Sequence, residues 1–307
     1  MIFPFVRDEF SQLQDVILGI SNDFGGCPNF KDAYDPKSKE HIMNNTFPRE
    51  KDIQMELDGF LSVFEKYHVN VLRPNNLFQC NQVFARDVGF VIEDQFFISN
   101  MIKNRSQEIL GFELILKQIN STHINHLPKD VFVEGGDVVL LGDFIFVGYS
   151  KKTDFYQFQV SRTNGKFLDF LSTKFPSKKI IGFELNKSDD ISIQNCLHLD
   201  CCFQPLGLGH VLLHADGFKC QKDLQLIYDM FGEENIILIN KQEMSNMYAN
   251  LFSISHNIIV SEKKFSRINQ LLIEKGYIVE QIPFSETAKM GGLLRCVTLP
   301  LIRTNEP

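Results

Sequence analysis

The sequence predicts an α/β protein in which a strand–strand–helix–strand unit repeats around a closed ring. Three observations predict it. Paired runs rich in Val, Ile and Phe, joined by turn formers, recur along the chain. Most pairs are followed by a segment with apolar residues three and four apart, the spacing of an amphipathic helix. The two chain ends together supply the parts of one further unit.

The units follow in chain order. Residues 84–99 read as strand, a Glu93-Asp94-Gln95 turn and strand, followed by a helix at 106–119 and a weaker return strand at 123–127. Residues 131–149 turn around Leu141-Gly142-Asp143, with a helix at 165–175 and a strand at 180–185. Residues 201–214 turn around Gly207-Leu208-Gly209, with a helix at 222–231 and a strand at 235–239. Residues 250–261 turn around Ser255-His256-Asn257. The helix that follows, 265–275, carries Phe265, Ile268, Leu272 and Ile273 on one face, and a strand at 277–282 closes the unit. The fifth unit takes its hairpin strands from 294–302 and 15–20, its helix from 53–67 and its last strand from 69–73. Pairing the termini removes the open edges of a repeat array. No Pro/Gly/Ser-rich linker interrupts the pattern, so residues 1–307 are expected to form a single domain. The polar stretch 21–48, with Gly25-Gly26, lacks periodicity; a loop this long is expected to be functional, as a lid.

Composition narrows the function. The chain has 307 residues, 44% hydrophobic and 22% charged, a globular balance. Net charge is −7 with no Lys/Arg-rich run, which argues against nucleic acid and suits a basic small molecule. Seven cysteines, an odd number without a CxxC pair, do not make a disulfide framework. The N-terminus lacks a signal-peptide pattern, and no apolar run approaches the roughly 18 residues that cross a bilayer. The expectation is a soluble, cytoplasmic protein with no membrane partner. The sequence sets no oligomeric state.

Five reactive side chains stand at hairpin starts: Asp87, Glu134, His198, Asp200 and Cys296. Cys296 follows Met-Gly-Gly-Leu-Leu-Arg, where the glycines allow close backbone approach and Arg295 is a candidate to stabilise a thiolate. Taken alone, it reads as a buried apolar cysteine, which is what most lone cysteines are. His198-Leu199-Asp200, on an extended strand, puts imidazole and carboxylate on one side, a general acid/base arrangement or a hydrogen-bonded surface histidine. Cys201 and Cys202 follow, but adjacent strand cysteines face opposite ways and the spacing fits no usual zinc site, so no metal is expected. Glu134-Gly135-Gly136-Asp137 and Arg86-Asp87 singly read as a turn and a surface ion pair. Their equivalent placement is the stronger signal, because a ring would bring all five to one centre.

The chain resembles the guanidine-modifying enzymes: arginine deiminases, dimethylarginine dimethylaminohydrolases and amidinotransferases. The resemblance spans about 81–303 and rests on Asn-Gln-Val-Phe-Ala-Arg-Asp (81–87), Glu-Gly-Gly-Asp-Val (134–138), Ser-Arg-Thr-Asn (161–164), Leu-His-Leu-Asp (197–200) and Arg-Cys-Val-Thr-Leu-Pro-Leu-Ile-Arg (295–303). It implies a five-bladed α/β propeller, the pentein fold, with pseudo-five-fold symmetry. It also implies Cys296 as nucleophile, His198 as general acid/base, Asp87 and Asp200 as guanidinium clamps, and Glu134 as their acidic partner. Asn81 and Phe84 match pocket residues, and Arg162 matches an arginine that holds a substrate carboxylate. Residues 151–160 intervene before Arg162, so Lys151-Lys152-Thr153 is a rival alignment. The implied chemistry is sulfur attack on a guanidino carbon, a covalent thiouronium and hydrolysis to a ureido product, without metal, nucleotide or redox cofactor. Amidinotransfer to an amine is the alternative, and the free partner is a small guanidino or ureido compound.

Overall fold

A computed structural model of the protein describes residues 1–304, so residues 305–307 of the expected unit lie outside the described residues. Among the described residues the strands form five three-stranded sheets, all built on one plan. An antiparallel pair comes first, and a third strand joins parallel to the second, which is therefore central. The sheets are Gly89–Ile92, Gln95–Ile98 and Ile124–His126; Val138–Leu141, Phe144–Tyr149 and Lys179–Glu184; Phe203–Pro205, Val211–Leu213 and Ile236–Leu238; and Phe252–Ser255, Ile258–Glu262 and Ile278–Ile282. The remaining sheet joins the chain ends: Thr298–Thr304 pairs antiparallel with Gln12–Leu18, which pairs parallel with Asn70–Leu72.

Parallel strands need a crossover, and an amphipathic helix supplies most of them. Glu50–Lys66 buries Ile53, Leu57, Phe60, Val63 and Phe64, one stripe at helical spacing, with Glu50 and Asp52 in its first turn and Lys66 in its last, as the helix dipole favours. Phe60 and Phe64 pack edge-on against Phe252 of the neighbouring sheet, with ring centroids 5.8 Å apart. Lys166–Lys174 buries Phe167 and Leu171. Gln221–Phe231 buries Leu224 and Ile227. Ser266–Glu274 buries Ile268 and Leu272, but Ile273, expected on the same face, is 47% exposed.

The expected helix at 106–119 is instead a 3₁₀ segment, Glu108–Phe112, running into the short α-helix Glu113–Leu116. Its Gly111 carbonyl accepts from Asn75 N–H at 2.7 Å, a bond to another loop that takes this group out of the helical ladder. The expected strand starts at 84, 131 and 201 are also too early. A helical turn precedes the strand in each case: Ala85–Val88, Gly135–Asp137 and Leu199–Cys201. Nor is 21–48 a plain loop, because it contains the helix Pro36–Met43, capped by Asp35. Among the described residues, no helix is long and apolar enough to cross a membrane.

Candidate active site

The turns before the first strands deliver the reactive side chains to one place. Asp87, Glu134, His198, Asp200 and Cys296 are all buried. Glu134 is the hub. Its carboxylate accepts from His198 Nε2 at 3.0 Å, Arg105 Nη1 at 3.2 Å and Arg162 Nη1 at 3.1 Å. Asp87 accepts from Arg105 Nη1 at 2.7 Å and from the Gly136 N–H at 3.1 Å, and lies 3.7 Å from His198 Nδ1. Asp137 accepts from Leu199 N–H at 2.9 Å, anchoring the turn that carries His198.

The Gly-Gly of this motif has a steric cause. A Cβ on Gly136 would sit 2.6 Å from His198 Nδ1 and 2.8 Å from Cγ, so only glycine lets the imidazole lie against this turn.

Cys296 sits two residues before strand Thr298–Thr304. Its Sγ is 3.7 Å from Asp200 Oδ2, and its N–H donates to Asn250 Oδ1 at 3.1 Å. Asn250 Oδ1 also accepts from Leu293 N–H at 3.2 Å, so one amide holds the nucleophile turn. Asn250 stands before strand Phe252–Ser255, so that sheet also contributes to the centre. Arg295 does not face the thiol. Its guanidinium donates to Asp200 Oδ2 at 2.8 Å and to both oxygens of Glu9, at 3.0 and 3.1 Å.

A cavity of about 490 Å³ opens over this centre, lined by Asn81, Phe84, Asp87, Arg105, Arg162, His198 and Cys296 among others. One wall comes from the 21–48 segment, including Phe24, Tyr34 and Asp35. The segment expected as a lid thus lines the cavity.

The electrostatics are lopsided. Burial by itself would lower the His198 pKa, but the charges of Asp87, Asp137 and Glu134 outweigh it and raise it to about 9. His198 is therefore an imidazolium at neutral pH. Burial, then the charges of Asp200 and Asp87, push the Cys296 thiol well above its ordinary value, so it rests protonated. Glu134 is also opposed by burial, yet Arg162, Arg105 and His198 hold its carboxyl well below the usual range.

His198 and Asp200 do not share a strand. His198 is extended, but Asp200 lies in the 3₁₀ turn Leu199–Cys201, which sends the two apart: His198 to Glu134, Asp200 to Arg295 and Cys296. Arg162 lines the cavity with most of its donors already committed. Nη1 goes to Glu134, Nε to Gln159 O at 3.1 Å and Nη2 to Tyr34 O at 2.9 Å. Its rival Lys152 is exposed at the start of the helix Lys152–Gln157 and does not line the cavity. Sequence reasoning missed Arg105, Glu9 and Asn250. Only Arg105 left a local trace: Glu108, three residues on, takes Nε and Nη2 of Arg105, each at 2.8 Å.

Asp87, Glu134 and His198 offer donor atoms within 4.8 Å of one another. Two arginine charges already sit on those carboxylates, which opposes a divalent cation there.

A family model for eukaryotic N,N-dimethylarginine dimethylhydrolase matches residues 38–303. The chain is 30% identical to the YkgA protein of Bacillus subtilis over 225 residues, 72% of this chain and 70% of YkgA. It is 24% identical over 231 residues to ArgZ of Synechocystis, a bifunctional arginine dihydrolase/ornithine cyclodeaminase, of whose length it spans 30%. The solved N-terminal domain of ArgZ, with product bound, superposes with a TM-score of 0.78 at 18% identity, covering 96% of this chain and 100% of that domain. The amidinotransferase SxtG of Microseira wollei superposes with a TM-score of 0.76 at 17% identity, covering 99% of this chain and 98% of SxtG. These structures share the α/β fold of five small sheets.

Proposed function

The chain belongs to the guanidine-modifying enzyme superfamily, and from that premise we propose that it is a cysteine-dependent hydrolase of an arginine-type guanidino compound. The fold it uses is then a single-domain five-bladed α/β propeller, each sheet a blade. One observation carries the proposal. Asp87, His198 and Cys296 line one cavity, and behind them Glu134 accepts from His198 Nε2 while the Asp200 carboxylate lies against Cys296 Sγ.

The substrate guanidinium sits between Asp87 and Asp200, which accept its N–H groups and hold its carbon near sulfur. Its positive charge offsets the carboxylates that keep Cys296 protonated, so the thiol ionises as substrate docks and its proton leaves to solvent. Sulfur attacks the guanidino carbon. The imidazolium of His198 protonates the departing amine, leaving a thiouronium on Cys296. Neutral His198 then takes a proton from water. The resulting hydroxide adds to the same carbon, its remaining proton passes to sulfur as the C–S bond breaks, and a ureido product leaves with the Cys296 thiol restored. The net reaction adds one water and releases one amine.

Arg162 meets a substrate carboxylate through Nη2 once Tyr34 yields its carbonyl contact, which couples tail recognition to the 21–48 wall. Asn81 and Phe84 flank the guanidinium.

The test is intact-protein mass spectrometry during incubation with arginine, methylated arginines, citrulline and agmatine, with and without glycine or ornithine. The expected result is a transient adduct, absent in Cys296→Ser, and a ureido or further hydrolysed product. A new guanidino product formed only with added amine identifies an amidinotransferase instead. No adduct and no product across the panel refutes the proposal.

A further inference from the structure

A buried ion-pair chain runs away from the cavity and ends on the N-terminal segment. Glu9, 6% exposed, accepts from Arg295 Nε at 3.1 Å, from Arg295 Nη2 at 3.0 Å and from Leu140 N–H at 3.2 Å. Arg295, fully buried, passes Nη1 to Asp200 Oδ2 at 2.8 Å and Nη2 to Val138 O at 2.7 Å. Asp200 Oδ2 is the atom 3.7 Å from Cys296 Sγ. Arg86 lies alongside, donating from Nε to Arg295 O at 3.3 Å, while its Nη2 is buried without a partner. Two arginines thus crowd one place, and among the described residues Glu9 is the only carboxylate besides Asp200 that hydrogen-bonds the Arg295 guanidinium.

We infer that Glu9 is a positioning residue for the nucleophile: by fixing the Arg295 fork it presents a single nitrogen, Nη1, to Asp200 and so sets Asp200 Oδ2 against Cys296. The inference rests on the proposed role of Asp200 as a guanidinium clamp beside the nucleophile. A guanidinium is rigid and planar, and two carboxylates compete for its edges. With Glu9 in place, Asp200 receives one edge and keeps lone pairs for substrate. Without it, only the Val138 carbonyl restrains the Glu9-facing edge, and Arg295 shifts further onto Asp200, neutralising that carboxylate and drawing it from sulfur. Glu9 touches neither substrate nor the reacting atoms.

The first readout is the pH dependence of Cys296 alkylation by iodoacetamide in the free enzyme. It needs no turnover, so it stays informative if the proposed reaction is wrong. Peptide mapping separates Cys296 from the other six thiols. In Glu9→Gln the alkylation midpoint is expected to fall by about one pH unit, because a better-neutralised Asp200 opposes the thiolate less. In an Asp200→Asn background the same change is expected to move it by less than about 0.3 unit, since the route through Asp200 is gone. The second readout is kinetic: Glu9→Gln is expected to raise KM and lower kcat together, by roughly tenfold each. If Glu9→Gln does not stay folded, Glu9→Asp keeps the charge but withdraws it from one Arg295 edge, and a smaller fall in the midpoint is expected. Equal shifts in both backgrounds would overturn the inference, as would no shift in a folded variant.

Discussion

Single residues in this site act through charge in a dry environment. Asp87, held by Arg105 and the Gly136 N–H, faces both the cavity and His198. Replacing it by Asn keeps the shape and removes the charge. KM for the cationic substrate is expected to rise roughly 100-fold, the scale of a charge-assisted hydrogen-bond pair. The His198 pKa is expected to fall from about 9, since Asp87 is the largest of the charges that raise it. The alkaline limb of kcat then moves down in pH, and a pH–rate profile of Asp87→Asn against wild type reads both effects. An unmoved alkaline limb would mean that His198 is not the acid. At this scale the candidate residues were legible, because each stands in a short motif. Their contacts were not. Nothing in Leu-His-Leu-Asp shows that a 3₁₀ turn sends His198 to Glu134 and Asp200 to Arg295.

The elements place those residues, and the turns before the strands matter more than the strands. Gly136→Ala adds one methyl against the His198 ring, where an ideal Cβ comes within 2.6 Å of Nδ1. The imidazole has to move, and a displacement of this size is expected to lower kcat about 100-fold at a stability cost of about 1–3 kcal/mol. Phe60→Ala, in helix Glu50–Lys66, should do the reverse. It removes a buried ring packed on Phe64 and Phe252, costing about 3–5 kcal/mol, with kcat of the folded fraction nearly unchanged. Thermal melts paired with kinetics at permissive temperature separate the two. Alternating and helical periodicities found the hairpins and most crossovers. They failed at 106–119, where the Asn75–Gly111 bond breaks a pattern that apolar spacing alone reads as one helix.

The whole molecule gathers charges from both chain ends and from several sheets into one interior, so its stability depends on pH at both extremes. Glu9 has its pKa lowered to about 2: burial opposes ionisation, and Arg295 and Arg86 overcome it. Its stabilisation is present above the ordinary carboxylate pKa near 4.5 and is lost as pH falls toward 2. His198 has its pKa raised to about 9, so its contribution is complete below about 6.5 and is lost as pH rises through 9. Thermal midpoints are expected to peak between about pH 5 and 7. In His198→Asn the decline between pH 7 and 9 should flatten, and an unchanged decline would place the alkaline loss elsewhere.

The sequence by itself determined the repeat, the joining of the two chain ends in one sheet, and which side chains stand at the hairpin starts. These are local properties: apolar periodicity and turn chemistry act over a few residues and leave a readable pattern. The tertiary structure alone decided which charges face each other. Glu9 meets Arg295 across almost the whole chain, Arg105 reaches Asp87 and Glu134 from a broken helix, and Asn250 holds the turn of Cys296. Such pairing depends on distance in space between groups far apart in sequence, and a Coulombic or hydrogen-bonded contact imposes no period on the residues that make it.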